Sequence, residues 1–297
     1  VFDLSGLPLP GDMTIVDNTT DPGIVDDITA IAAANSVDWY AIHLDVGGKA
    51  TVVAMQAWVE ANEKIQLYTS SDSATTDSGS STDIMAALKA LSYFRAAGDL
   101  CANRLQSYSA LGWGGAMLVT PGFPGSATWV YRTIPGIVPD VLTSSQDHAV
   151  CGIPSQGTFG KNGTVYVTQN GVNITKGGRV AGGEWIDVII GRDALKARIQ
   201  ESVFGAQKRA ADNGSKIPFT DDGIGTIQAA ILQPMLLAET PVNGASFLVK
   251  GSSVVTVPKA ADVSTVDKQA RRLTGTSFTA EIAGAIHASV ITGTLTP

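Results

Sequence analysis

Charge is scarce in this sequence. Asp, Glu, Lys and Arg together supply only 16% of 297 residues, and the balance is acidic, with a formal net charge of -7. The densest basic pairs are Lys208-Arg209 and Arg271-Arg272, too sparse for the basic stripe that a nucleic-acid binder presents to phosphates. No run of 18 apolar residues occurs, so no transmembrane helix is expected and no membrane partner either. Cysteine is nearly absent: Cys101 and Cys151 lie far apart and outside any CxxC spacing, which argues against a disulfide framework or a zinc site and for two free, partly buried thiols. Histidine is equally rare, with only His43, His148 and His287. Neither a GxSxG elbow nor an HExxH helix is present. The stretch DVGGKAT looks like a phosphate loop only superficially, since His43 stands where its first glycine should be and Ala50 replaces the hydroxyl residue. No cofactor or metal is therefore expected.

What remains is an apolar, glycine-rich chain: 44% of residues are hydrophobic and 32 are Gly. That composition suits a packed, β-rich protein that forms interfaces. The opening stretch VFDLSGLPLPGDMTIVD has no secretion-signal pattern and reads as the end of a preceding β-rich domain over residues 1–17, with upstream sequence expected before it. Residues 18–132 then alternate helix and strand. DPGIVDDITAIAAAN reads as a helix capped by Asp21 with Pro22 in its first turn. Val37 to Asp45 reads as a strand, KATVVAMQAWVEAN as a helix, and KIQLYTS as a strand. After a Ser/Thr-rich loop, Ser81 or Thr82 is expected to cap the helix DIMAALKALSYF. Such alternation implies an α/β layer with a largely parallel sheet. The Gly/Pro-rich GWGGAMLVTPGFPGSATWVYRTIPGIVPD reads as a loop-bearing boundary.

Residues 133–297 carry an α+β pattern. A short helix is expected at TSSQDHAVCG, and a tight turn at QNG after the alternating Val165 and Val167. Asn173 to Val180 reads as a further pair of short strands around KGG. The longest helical stretch begins at EWIDVIIGRDALK and has a wide apolar face. A second long helix follows the cap Thr220, with Pro234 expected to kink or end it. VVTVP reads as a strand, STVDKQARRLTG as a short helix ending at Gly275, and the tail as β-structure.

Two clusters merit weighing for chemistry. Glu184 and Asp187, three apart on a helix near Arg192 and Asp193, have the residue types for acid/base work, which makes an α/β hydrolase-like enzyme the alternative reading. The structural reading is stronger: Glu184 meets a helix N-terminus, while Asp187 and Asp193 pair with Arg192, Lys196 or Arg198 across turns. Asp72, Asp77 and Asp83 share a polar loop but not the calcium-loop spacing. Sequons at Asn18, Asn162, Asn173 and Asn213 arise easily in a Ser/Thr-rich chain; glycosylation there would make the chain a secreted binding module.

The tail SFTAEIAGAIHASVITGTLTP alternates apolar and polar positions, so Phe278, Ile282, Ile286 and Val290 share a face. Gly284 reads as a bend. By pattern alone this is an edge or hairpin strand of its own chain.

Several blocks, taken in order, carry a resemblance: GGEWIDVIIGRDALKARIQESVF, KIPFTDDGIGTIQAAI, VPKAADVSTVDKQARR and FTAEIAGAIHASVITGTL, preceded by DPGIVDDITAI, DWYAIHLD and PGSATWVYRTIPGI. Their order and wording resemble the contractile tail sheath proteins of bacteriophages. The resemblance implies a structural subunit without an active site, which stacks in homo-oligomeric rings as a helical sheath around the tail tube protein. Baseplate and tail terminator proteins are the further partners implied. It implies a virion protein assembled in the bacterial host cytoplasm, whose contraction drives the tube through the host envelope. It further implies a terminal β-strand arm exchanged with neighbours through Phe278, Ile282, Ile286 and Val290, and a tail-tube contact at Lys268, Arg271 and Arg272. The family carries an N-terminal arm strand before the point where this sequence opens, which the strand exchange would also need.

Overall fold

The computed structural model describes residues 23–35, 39–44, 48–102 and 108–289. The chain divides into two compact units, one up to Trp39 and one from Tyr40 onward. In the first, helix α1 (Ile24–Ala34) starts from Gly23, whose φ of 92° suits only glycine, and carries Asp26 and Asp27 in its first turn, where carboxylates meet the positive end of the helix dipole. Asp21 and Pro22, expected to start this helix, lie outside the described residues, as do 1–17 and most of the residues flanking the strand expected at Val37 to Asp45.

The second unit opens with the α/β layer. Its strands are β1 (Ala41–His43), β2 (Ile65–Ser70), β3 (Ala96–Leu100), β4 (Thr164–Gln169) and β5 (Val172–Lys176), hydrogen-bonded in that order. The first four are parallel and β5 returns antiparallel to β4. The hairpin is fixed by Asn170 and Gly171, both left-handed at φ 52° and 77°, which matches the turn twist to that of the strands. The expected second pair of strands around KGG is instead this single strand β5, followed by a lone bridge between Arg179 and Trp185.

Helices cover both faces. Along β2 the side chains alternate: Ile65 and Leu67 join one core cluster, Tyr68 the other. The first cluster receives Ala110, Trp113 and Met117 of α4 (Ser109–Leu118), together with Trp129, Ile134 and Ile137. The second receives Val52 of α2 (Lys49–Ala61), Met85 and Leu88 of α3 (Ile84–Ala90), and Val150 and Cys151 of α5 (Ser144–Cys151). Both cysteines are buried. Helix α4 runs into the zone that the sequence reads as loop-bearing, and strand β3 lies in a stretch for which the sequence suggests no element. Every residue of β3 is buried, so it shows no alternation. Gly114 of α4 is a packing residue: a Cβ there would lie 2.1 Å from Leu67 Cδ1.

Helix α3 is capped one residue later than expected. The Asp83 carboxylate accepts the Ala86 amide at 3.1 Å and pairs with Lys161 at 2.6 Å, both side chains buried. Lys161 also donates to the Ala74 carbonyl at 2.7 Å, so one lysine fastens both ends of the Ser/Thr-rich loop. Asp72 and Asp77 each accept a backbone amide within their own turns at 2.9 Å.

Beyond the layer, α6 (Ile186–Asp212) and α7 (Asp221–Ala238) form an antiparallel hairpin, joined across by Ser202 and Gln233 at 3.3 Å. Thr220 caps α7 by accepting the Gly223 amide at 3.2 Å. Pro234 neither ends nor breaks α7, which runs on to Ala238. The first turns of α6 place Ile186, Ile189 and Ile190 in the first cluster of the layer, while Leu195 belongs to a third cluster with Phe123, Ile231, Met235, Phe247 and Leu248. Gly191 sits between the two, where a Cβ would lie 2.1 Å from the Phe247 ring. Strand β6 (Val254–Thr256), the short helix α8 (Thr265–Gln269) and strand β7 (Ser277–Thr279) complete the fold. Helix α8 stops well before Gly275: Ser264 caps it, and Arg271 turns left-handed at φ 53°.

Candidate interaction surface

Strands β6 and β7 form a two-stranded antiparallel ribbon in which Val255 faces Phe278 in register. Only Val255 of its central pair is buried, against the third cluster. The entrance to the ribbon is set by Glu239, whose carboxylate accepts the amides of Ser253 at 2.9 Å and Gly251 at 2.8 Å. Hydrogen bonding from Ser253, then from Gly251, holds its pKa below the ordinary carboxylate range. Regular pairing of the tail ends at Thr279; beyond it a single bridge joins Ile282 to Leu248, and residues 283–289 form no regular element.

Of the four tail residues singled out in the sequence, the three that are described do not bury together in the lone chain. Phe278 is 47% exposed, Ile282 39% and Ile286 87%, while Ala280 packs on the third cluster. Val290 lies outside the described residues.

Next to the ribbon runs a groove of about 800 Å³ between α6, α7 and the segment around α8. Its walls are apolar, with Ile199, Phe204, Ile217, Phe219, Ile227 and Leu273 among them, and Phe204 is 65% exposed. Lys216, Lys268 and Arg271 add positive charge, and among the described residues no carboxylate lines it. The three basic residues grouped from the sequence are thus separated. Lys268 and Arg271 face the groove, whereas Arg272 folds back on Asp267 at 2.7 Å. That arginine and Ser264 hold the Asp267 pKa below its ordinary value. The groove lining comes from three separate stretches, 199–207, 216–231 and 268–276. Its only sequence signal is the unusually wide apolar face of α6.

The carboxylate cluster on α6 does not converge. Glu184 accepts the amide of Trp185 at 3.0 Å. Burial pushes the Asp187 carboxyl up to about 6, with its own helix amides opposing that rise. Neither residue lines the groove. Asp193 does not pair within its helix. It takes a two-pronged contact from Arg95 at 2.6 and 2.9 Å and the Tyr40 hydroxyl at 2.6 Å, which ties α6 to the layer. Lys196 reaches Glu63 at 2.7 Å.

Among the described residues, the strand order of the layer offers no switch point. In open α/β sheets, ligands sit at the carboxyl ends of strands where the strand order reverses. Here the order β1-β2-β3-β4 never reverses, and α2, α3 and α5 all contribute to the same cluster.

No family model matches this sequence, and no curated protein matches it. Among solved structures, the chain is similar to a chain in the cryo-EM structure of the anti-feeding prophage (AFP) baseplate, six-fold symmetrised. The TM-score is 0.53 and the identity 16%, over 92% of this chain and 74% of that one. At that identity the likeness speaks for a shared fold, and nearly the whole chain takes part in it.

Proposed function

We propose that the chain is a structural subunit of a contractile phage-tail-like particle, specifically a sheath subunit that polymerises in rings around a tail tube and contracts to drive it through the host envelope. The observation that carries this reading is the β6–β7 ribbon. A two-stranded sheet is marginal alone, and this one leaves Phe278 half exposed on an edge strand that lies entirely at the surface. Added strands from neighbouring subunits would pair with that edge and cover the aromatic ring, the geometry of β-augmentation. Phe278, Ile282, Ile286 and Val290 are the residues proposed to exchange. The fold shared with a chain of the AFP baseplate structure supports a tail-related particle. Lys268 and Arg271, in a groove that no acidic residue lines among the described ones, are proposed to contact the tube; Arg272 keeps Asp267 as its partner. Other copies of itself, the tube, and baseplate and tail terminator proteins are the proposed partners.

The test is negative-stain electron microscopy of the purified full chain beside a variant ending at Gly275, with Phe278→Glu as a second variant that keeps the chain length. Tubes or rings from the full chain and dispersed particles from both variants are the expected result. Dispersed particles from all three overturn the reading.

A further inference from the structure

Beyond Ile282 the tail leaves the third cluster, and residues 284–286, 288 and 289 are exposed. His287 is the exception. Its Nε2 lies 2.7 Å from the Thr128 hydroxyl oxygen, and its carbonyl accepts the Tyr131 hydroxyl. The imidazole packs edge-on to Trp185, with ring centres 4.4 Å apart, and to Tyr131 at 6.3 Å. The cleft is built for this. Tyr131 is held left-handed at φ 63°, a conformation a bulky residue adopts only when its surroundings impose it. Trp185 is backed by the Arg179 guanidinium at 4.2 Å, which lies over Phe159 at 3.6 Å. Three separate stretches, 128–131, 179–185 and the tail, therefore meet on one side chain.

We infer that His287 is an acid-sensitive latch, which closes residues 283–289 onto their own subunit by filling the Thr128–Tyr131–Trp185 cleft and releases them when its ring is protonated. The neutral ring fits: Nε2 has Thr128, and Nδ1 is buried with no partner. With the neutral ring's proton on Nε2 and donated to Thr128, protonation would add an N–H on Nδ1 that faces no acceptor. The charged group facing the ring is Arg179, a cation. Arg179 feels Glu184 as its nearby carboxylate, and the Tyr131 hydroxyl is taken up by the His287 carbonyl. Burial first, and Arg179 second, lower the His287 pKa from its ordinary 6.5. The sign follows. Closing expels a proton once the pH is below the open-tail value, so the latch is at full strength above pH 6.5. Below that it weakens by up to about tenfold per pH unit until the closed-form pKa is reached. The inference concerns one chain closing on itself and stands apart from the sheath reading.

The test uses the full chain with Ser289→Cys carrying a nitroxide label, read by spin-label mobility from pH 8 to pH 5. The expected result is an immobilised label at pH 8 that frees as the pH falls below about 6.5. His287→Ala should give a mobile label at every pH, with unchanged circular dichroism. Thr128→Val should free the label partly while keeping the pH response. The NMR titration of the His287 imidazole, identified by its loss in His287→Ala, should fall below 6.5. A label already mobile at pH 8, or a pH response that survives His287→Ala, overturns the latch, and so does an imidazole titrating at its ordinary value or above.

Discussion

Strands β3 and β7 show two opposite outcomes for short β-segments. All five residues of β3 are buried, between β2 and β4 and under helices on both faces. All three residues of β7 are exposed, and β6 is the strand it pairs with. Strand β3, inside the sheet, is paired on both sides and covered on both faces by its own chain. The ribbon has one buried contact row, through Val255, and leaves its aromatic residue at the surface. The difference teaches where to look for partners: an element that is finished gains nothing from a neighbour, and an unfinished one does.

That contrast can be tested from its strongest side first. Trp113 is fully buried in α4 and stacks edge-on to Trp129 at 4.8 Å. Trp113→Ala should cost about 3–5 kcal/mol of folding stability, read from the urea midpoint, and unfold the layer before any assembly is scored. Lys161→Met leaves Asp83 buried without its cation and should cost a comparable amount, about 3–5 kcal/mol; a neutral result would mean that the loop is held by its turns alone.

A smaller effect should come from Asp99, at the end of β3. It accepts the Ser109 hydroxyl, and burial pushes its pKa up to about 7 from 3.8. The folded state therefore binds the proton more tightly than the unfolded one. Its contribution is fully present below pH 3.8 and is lost as the pH rises toward about 7. Asp99→Asn should flatten that part of the stability–pH curve; an unchanged slope would place its origin elsewhere. The smallest change belongs to the ribbon. Phe278→Ser should alter the stability of the isolated chain by no more than about 0.5 kcal/mol, as exposed positions usually do, while abolishing self-association in sedimentation. A large loss of stability in the monomer would mean that the ribbon is a finished element after all.

Elements with strong local grammar were legible in the sequence. The α6–α7 hairpin announced itself by apolar period and by the cap Thr220, and the β4–β5 turn by Asn170-Gly171. Helix α4 was not, because Gly112, Gly114 and Gly115 look like loop residues until Leu67 is seen lying against Gly114. Strand β3 was not, because burial on both faces erases alternation. At the interaction surface, the sheath resemblance grouped Lys268, Arg271 and Arg272 on one short helix, but the left-handed turn at Arg271 sends the last one back to Asp267. The role of His287 was illegible for a simpler reason: Thr128, Tyr131 and Trp185 lie more than a hundred residues away from it.

Helix α6 has 27 residues, about 40 Å of continuous rod at 1.5 Å per residue. Its first turns are gripped by the layer through Ile186 and Ile190, its next by the third cluster through Leu195, and Arg95 pins Asp193 between them. From Ile199 to Gln207 the same helix packs on α7 and forms a wall of the groove. Layer and groove thus share one rod, so a tilt of a few degrees at its layer end would carry the groove wall, with α7, by ångströms.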